Sequence, residues 1–138
     1  MYSAADLKVG TVFDIHDPYS FDEKHKYSII VGISEDGFYI ATVFINSEIN
    51  VSAINSAKLV ALQYEIRKAQ YSFLKRDSFV DCSHLEDRLQ ITLLDQLNSA
   101  GRILGKIRAI DLNKIINLVL LAPSIQPHYI KICNIKPV

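Results

Sequence analysis

With 138 residues, 49% of them apolar and 22% charged, the chain has room for one well-cored domain, and its composition argues against disorder and against any need for disulfides or a structural metal. Its 15 basic and 15 acidic side chains cancel, which weighs against tight non-specific nucleic-acid binding but leaves room for a local basic site. The two cysteines, Cys82 and Cys133, stand alone without a CxxC pair, which argues against a zinc ribbon or a thioredoxin-like redox centre and for two small buried apolar residues.

The opening stretch MYSAADLKVG has neither a basic n-region nor an apolar h-region, so no signal peptide is expected. The longest apolar run, Ile115 to Ala122, is interrupted by Asn117 and is too short to span a bilayer. A cytoplasmic protein with no membrane partner is expected.

In chain order, Lys8 to Ile15 alternates through Val9, Thr11, Phe13 and Ile15 and predicts a first strand. A polar loop with Pro18 follows. Tyr27 to Ile33, nearly continuous in apolar and β-branched residues, predicts a buried central strand. Asp36-Gly37 then marks a hairpin turn leading into a partner strand, Phe38 to Ile45. Lys58 to Leu62 and Phe79 to Cys82 are the expected fourth and fifth strands. Gln63 to Phe73 fits a polar excursion, a helical turn or an edge strand equally.

Beyond Asp81 the texture turns helical. Ile91 to Ala100 offers a face of Ile91, Leu94 and Leu97, with Gly101 at a C-cap position. From Asp111 to Leu121, Leu112, Ile115, Ile116 and Val119 recur at helical spacing, Asp111 is placed to cap the start, and Pro123 ends the run. The tail HYIKICNI alternates and offers one last strand. Strands first and helices later predict a single α+β domain. Its parts would be an antiparallel β-barrel over 1–88, a helical segment over 89–122 and a tail over 123–138.

The order of these pieces resembles the PemK/MazF-like toxins, and most closely a divergent, uncharacterised branch of them. The residues that carry the resemblance are Val9-Gly10-Thr11-Val12-Phe13, the loop to His25, Lys26, and the strand Tyr27-Ser28-Ile29-Ile30-Val31. Lys24-His25-Lys26, Asp77-Ser78-Phe79-Val80-Asp81 and Gly105-Lys106-Ile107 extend it over most of the chain. The Arg-Pro common after the family's mobile loop is replaced by Lys26-Tyr27. The family's Thr or Ser after the third strand is represented by Asn46-Ser47.

The resemblance implies an SH3-like barrel and a metal-independent endoribonuclease without cofactors. It also implies a homodimer acting on single-stranded RNA and neutralised by an antitoxin or other partner protein. Such cleavage needs a proton acceptor, a proton donor and a cation for the developing charge, roles that histidine and lysine or arginine fit. His25, Lys26, Arg76 and Asp77 are therefore the candidate catalytic residues. His16, Lys24 and Ser47 are the candidate substrate contacts; Tyr19 and Phe21 either fold back as a lid on the barrel mouth, the favoured reading, or offer aromatic faces for unpaired bases.

Two further readings stand beside the nuclease. One is a non-catalytic binding module on the same barrel, since fold alone does not decide function. The other is an accessory subunit of a larger assembly that docks through an uncovered stripe of Leu112, Ile115 and Val119. Asp81-Cys82-Ser83-His84 does not make a catalytic triad, because in extended chain Cys82 and His84 face one way and Asp81 and Ser83 the other.

Overall fold

Runs of β-branched and aromatic residues form strands here because each supplies apolar side chains to both faces of a sheet. A computed structural model describes residues 1–16, 25–47 and 57–138. After a 3-10 turn at Ala4–Asp6 come β1 (Thr11–His16), β2 (His25–Ile33) and β3 (Tyr39–Asn46). A short helix, α1 (Ala57–Val60), leads to β4 (Gln63–Ile66), β5 (Ser78–Asp81) and β6 (Glu86–Leu89). The rest is α2 (Gln90–Ala100), β7 (Arg102–Lys106), α3 (Ala109–Leu121) and α4 (Pro127–Ile132).

The seven strands make one sheet in the order β4-β5-β3-β2-β1-β7, with β6 beside β3, and each of these pairings is antiparallel. The expected α+β class with an antiparallel sheet is what forms. Among the described residues the sheet stays open, with β4 and β7 as its edges.

Alternation along β1 sends neighbouring side chains into separate cores. Val12 packs with Ile29, Val31, Val43 and Ile45 on one face, under α3 and the C-terminal segment. Phe13 and Ile15 pack with Ile30, Ile40, Leu93 and Leu97 on the other, under α2. Burying each such side chain contributes roughly 1.5–3 kcal/mol.

Several elements differ from their sequence-based expectations. Residues 57–60 are helical rather than a strand, and the fourth strand is Gln63–Ile66, within the stretch that fitted three alternatives. The Asp36-Gly37 hairpin forms with Gly37 at φ 78 and Asp36 Oδ1 accepting hydrogen bonds from Ser34 Oγ and the Phe38 N–H. Helix α2 buries Leu93 and Leu97 and leaves Ile91 71% exposed, so its apolar face is rotated from the expected one. β6 and β7 are strands that the alternation did not predict, and β7 falls inside the segment expected to be helical. The tail is helix α4 rather than a strand.

The face of Leu112, Ile115, Ile116 and Val119 is buried within the chain, which removes the uncovered stripe that an accessory subunit would need. Asp111 does not cap α3; Arg108 holds that position. Instead the Asp111 carboxylate accepts hydrogen bonds from the hydroxyls of Tyr64 (2.7 Å) and Tyr71 and from Arg108 Nη2 (3.2 Å). The Tyr71 hydroxyl in turn accepts from the Arg108 backbone N–H at 3.2 Å. Helix α3 is thus fastened to β4 and to the 67–77 connection. Burial works to raise the Asp111 pKa, but hydrogen bonds from Tyr71, Tyr64 and Arg108 outweigh it and hold the carboxyl below its ordinary range. Burial, then the bond to Asp111, pushes the Tyr64 hydroxyl up to about 12.

The end of the chain returns to the sheet. A Cβ on Gly32 would lie 2.4 Å from the Cys133 carbonyl oxygen and 2.6 Å from Ile135 Cγ1, so the tail sits directly on the β2 backbone. Gly32→Ala should therefore cost about 1–3 kcal/mol through overpacking, measured by urea unfolding. An unchanged midpoint would mean that the tail lifts away without loss.

The Asp111 cluster sets two limits on stability. Asp111 is more acidic folded than unfolded, so its contribution is complete above its ordinary value of 3.8 and is lost as pH falls below that. Tyr64 is less acidic folded, so its contribution is complete below 10 and is lost as pH rises from 10 toward about 12. A Tyr64→Phe, Tyr71→Phe variant should lose stability at neutral pH and flatten both limits in thermal melts.

Candidate functional site

A cleft of about 660 Å³ opens at one end of the sheet, on the face of the Val12 core. Its floor is a cross-strand row: Asp14 of β1 opposes Tyr27 of β2, and Tyr27 opposes Ile45 of β3. Asp14 follows Val12 on this face by strand alternation, and it is only 5% exposed. One wall is Leu74, Lys75, Arg76 and Ser78, and the other is Ala100, Gly101 and Arg102.

Each wall has a local cause. Leu74 and Ser78 are buried, and the Ser78 hydroxyl donates to the Arg76 carbonyl at 2.9 Å, so the exposed side chains of Lys75 and Arg76 project between two anchors. Across the cleft, a Cβ on Gly101 would come within 2.7 Å of the Asp14 carbonyl oxygen, so only glycine lets the α2–β7 junction lie this close to β1. The β1–β7 register then opposes Arg102 to Asp14, with Nε 3.7 Å from Oδ2. Lys75, Arg76 and Arg102 with Asp14 leave the cleft positively charged on a chain of zero net charge.

Of the sequence candidates, Arg76 and Ser47 line this cleft. His16 is half-buried at the end of β1, on the strand face of Asp14, and its backbone pairs with that of His25. The His25 side chain, and all of Lys24, Tyr19 and Phe21, lie outside the described residues. Lys26 lies on the opposite face of the sheet, its Nζ 4.9 Å above the centre of the Phe44 ring, which also stacks on His84. Asp77 is turned from the cleft toward its own connection, where its carboxylate accepts the Lys68 N–H at 2.9 Å. Asp14, Tyr27, Lys75 and Arg102 are the cleft residues that motif reasoning missed. A charged residue in an apolar strand was the available signal for Asp14.

Other nucleophile candidates are spent on structure. Asp81 accepts from Gln63 Nε2 at 2.9 Å and from Ser83, and His84 Nε2 lies 2.8 Å from Glu86, so the Asp81–His84 segment forms no triad. Both cysteines are free and buried. Burial pushes the Cys82 thiol up to about 12 and the Cys133 thiol up to about 11, with the charge of Asp81 adding to the first and that of Asp87 to the second. Among the described residues no group of three or more His, Cys, Asp or Glu could hold a metal ion, and no helix is long and apolar enough to cross a membrane.

No family model matches the chain, and no curated protein matches it either.

Neither thiol should react with a disulfide reagent at pH 8 in the native protein, and both should react in guanidinium. Fast labelling of either in native buffer would overturn the assignment of both as inert core residues.

Proposed function

We propose that the cleft binds single-stranded RNA and that the chain is a toxin-like, metal-independent endoribonuclease. The observation that carries this is the convergence of Lys75, Arg76 and Arg102 on one cavity of a charge-neutral chain. That cavity lies at the sheet end where His16 and His25 are paired in register. In the reaction the 2′-hydroxyl gives its proton to a base and attacks the adjacent phosphorus. The bond to the 5′ oxygen breaks, an acid protonates that oxygen, and a cyclic phosphate and a 5′-hydroxyl remain. His16 and His25 have the chemistry for the two proton transfers. The cations offset the charge that gathers on the non-bridging oxygens, and the arginines can grip them bidentately.

An SH3-like barrel, a homodimer and a neutralising antitoxin belong to the same proposal and come from the sequence resemblance. The division of the outer edge of β3 between β5 and β6 favours a strongly coiled sheet of that kind.

A second reading, a non-catalytic RNA-binding module, is favoured by the positions of Lys26 on Phe44 and of Asp77 on the Lys68 N–H. Both lie away from the cationic cleft.

One experiment separates the two readings. Long single-stranded RNA is incubated with the protein in EDTA and resolved on a gel, while anisotropy follows binding to a labelled strand. Arg76→Ala with Arg102→Ala should weaken binding about tenfold per cation removed and flatten its salt dependence. His16→Ala with His25→Ala should bind normally and leave no cyclic-phosphate ends. Binding without cleavage by the wild type would select the second reading, and absence of binding at low salt would overturn both.

A further inference from the structure

The cleft is chemically divided. Its floor of Tyr27, Ile45 and Leu74 is aromatic or apolar, whereas Lys75, Arg76 and Arg102 stand exposed at its mouth. A site for phosphate alone needs the cations and has no use for such a floor. A volume near 660 Å³ also falls within the roughly 300–1,000 Å³ typical of small-molecule sites. That partition suits a nucleotide whose base enters while its phosphates stay at the rim.

Tyr27 is the one aromatic ring among the described residues that line the cleft, and it is half-buried there. Other rings hold it in place. The Phe73 ring meets it edge to face, with centroids 6.5 Å apart and planes at 62°. Phe73 in turn lies 5.5 Å from the ring of buried Tyr71, whose hydroxyl bonds to Asp111. Gly105 closes in on Phe73 as well, since an added Cβ there would lie 3.4 Å from Phe73 Cδ1. Beneath the ring, backbone pairing with Asp14 and Ile45 fixes the strand that carries Tyr27.

A ladder of aromatic rings thus runs from the Asp111 cluster to the cleft, and its last member is ordered before any ligand arrives. A preset ring costs little further entropy when a base stacks on it. Beside cations that hold phosphate, its face is where a base of the same strand can come to rest. Resting on the reading of this cleft as an RNA site, we propose that Tyr27 is its base-stacking residue. One unpaired nucleobase lies on the Tyr27 ring while Arg76 and Arg102 grip the phosphates beside it. Stacking of this kind is open to any base, because every base has a π-face. Duplex RNA, whose bases are stacked on one another, cannot offer one without unpairing.

The test compares AMP with ribose phosphate, which differ by the base alone, using ligand-observed NMR on the intact protein. Anisotropy of a long labelled single-stranded RNA is followed alongside. AMP should bind about 5- to 150-fold tighter than ribose phosphate, the worth of one stacked base. Its base protons should move upfield, the ring-current mark of a base lying over an aromatic face. Tyr27→Phe should keep both effects, and Tyr27→Leu should remove both. Arg76→Ala should weaken the two ligands by a similar factor. The two ligands on the wild-type protein decide the matter even where Tyr27→Leu fails to fold. Equal affinities without an upfield shift, while the long RNA still binds, would overturn the stacking role and leave the RNA cleft standing. An upfield shift that survives in a folded Tyr27→Leu variant would place the base on another ring and overturn the assignment. Loss of all binding, long RNA included, would overturn the RNA reading itself.

Discussion

Everything at the cleft depends on the register of β1. Because Val12 and Phe13 are buried on opposite faces, β1 can pair with β2 and β7 in only one alignment that keeps both cores filled. A slip of one residue would exchange the two sets. Phe13 and Ile15 would be driven under α3, and Asp14 would be forced under α2 among leucines, where an unpaired carboxylate is prohibitively costly. The same constraint that packs the protein therefore aims its one floor carboxylate. Stability and site geometry are two readings of a single alignment.

The cleft walls come from connections, which are ordinarily the least fixed parts of a domain. Here they are tied at short intervals. Tyr71 and Leu74 are buried, Asp77 bonds back to Lys68, and Ser78 begins β5. Lys75 and Arg76 are thus held on a short exposed arc whose backbone entropy is already spent, which lowers the cost of ordering them around a ligand. Tyr71 also joins this arc to α3 through Asp111, so the helix, the connection and β4 act as one wall.

The elements legible in the sequence were those whose periodicity reports burial directly. β2, β3 and the apolar face of α3 could be read because Ile29 to Val31 and Ile40 to Val43 are nearly continuous apolar runs, while Leu112, Ile115, Ile116 and Val119 recur at helical spacing. β6, with the sequence Glu-Asp-Arg-Leu, and β7, with a glycine inside it, carry no such pattern, and their strand state is decided by the partners β3 and β1. Local alternation misled in the tail, where Ile130, Cys133 and Ile135 pack from a helix and its exit rather than from a strand. For the site, motif logic gathered histidines and lysines around one loop. Lys26 belongs to the other face of the sheet because strand alternation separates it from Tyr27, its neighbour in sequence. Asp14 and Arg102 meet only through the β1–β7 pairing, which no local window contains.

That pairing also bears on how the chain is made. The two edges of β1 are filled from opposite ends of the sequence: β2 follows closely, but β7 is separated from it by most of the chain. During synthesis a growing chain can form the β1–β2–β3 meander early, yet the outer edge of β1 keeps its unpaired N–H and C=O groups until residues 102–106 arrive. An apolar strand with an open edge is a template for pairing with another molecule. Non-local closure of this kind is also slow. Until residues 102–106 pair with it, the meander therefore stays open to pairing with another molecule along the outer edge of β1.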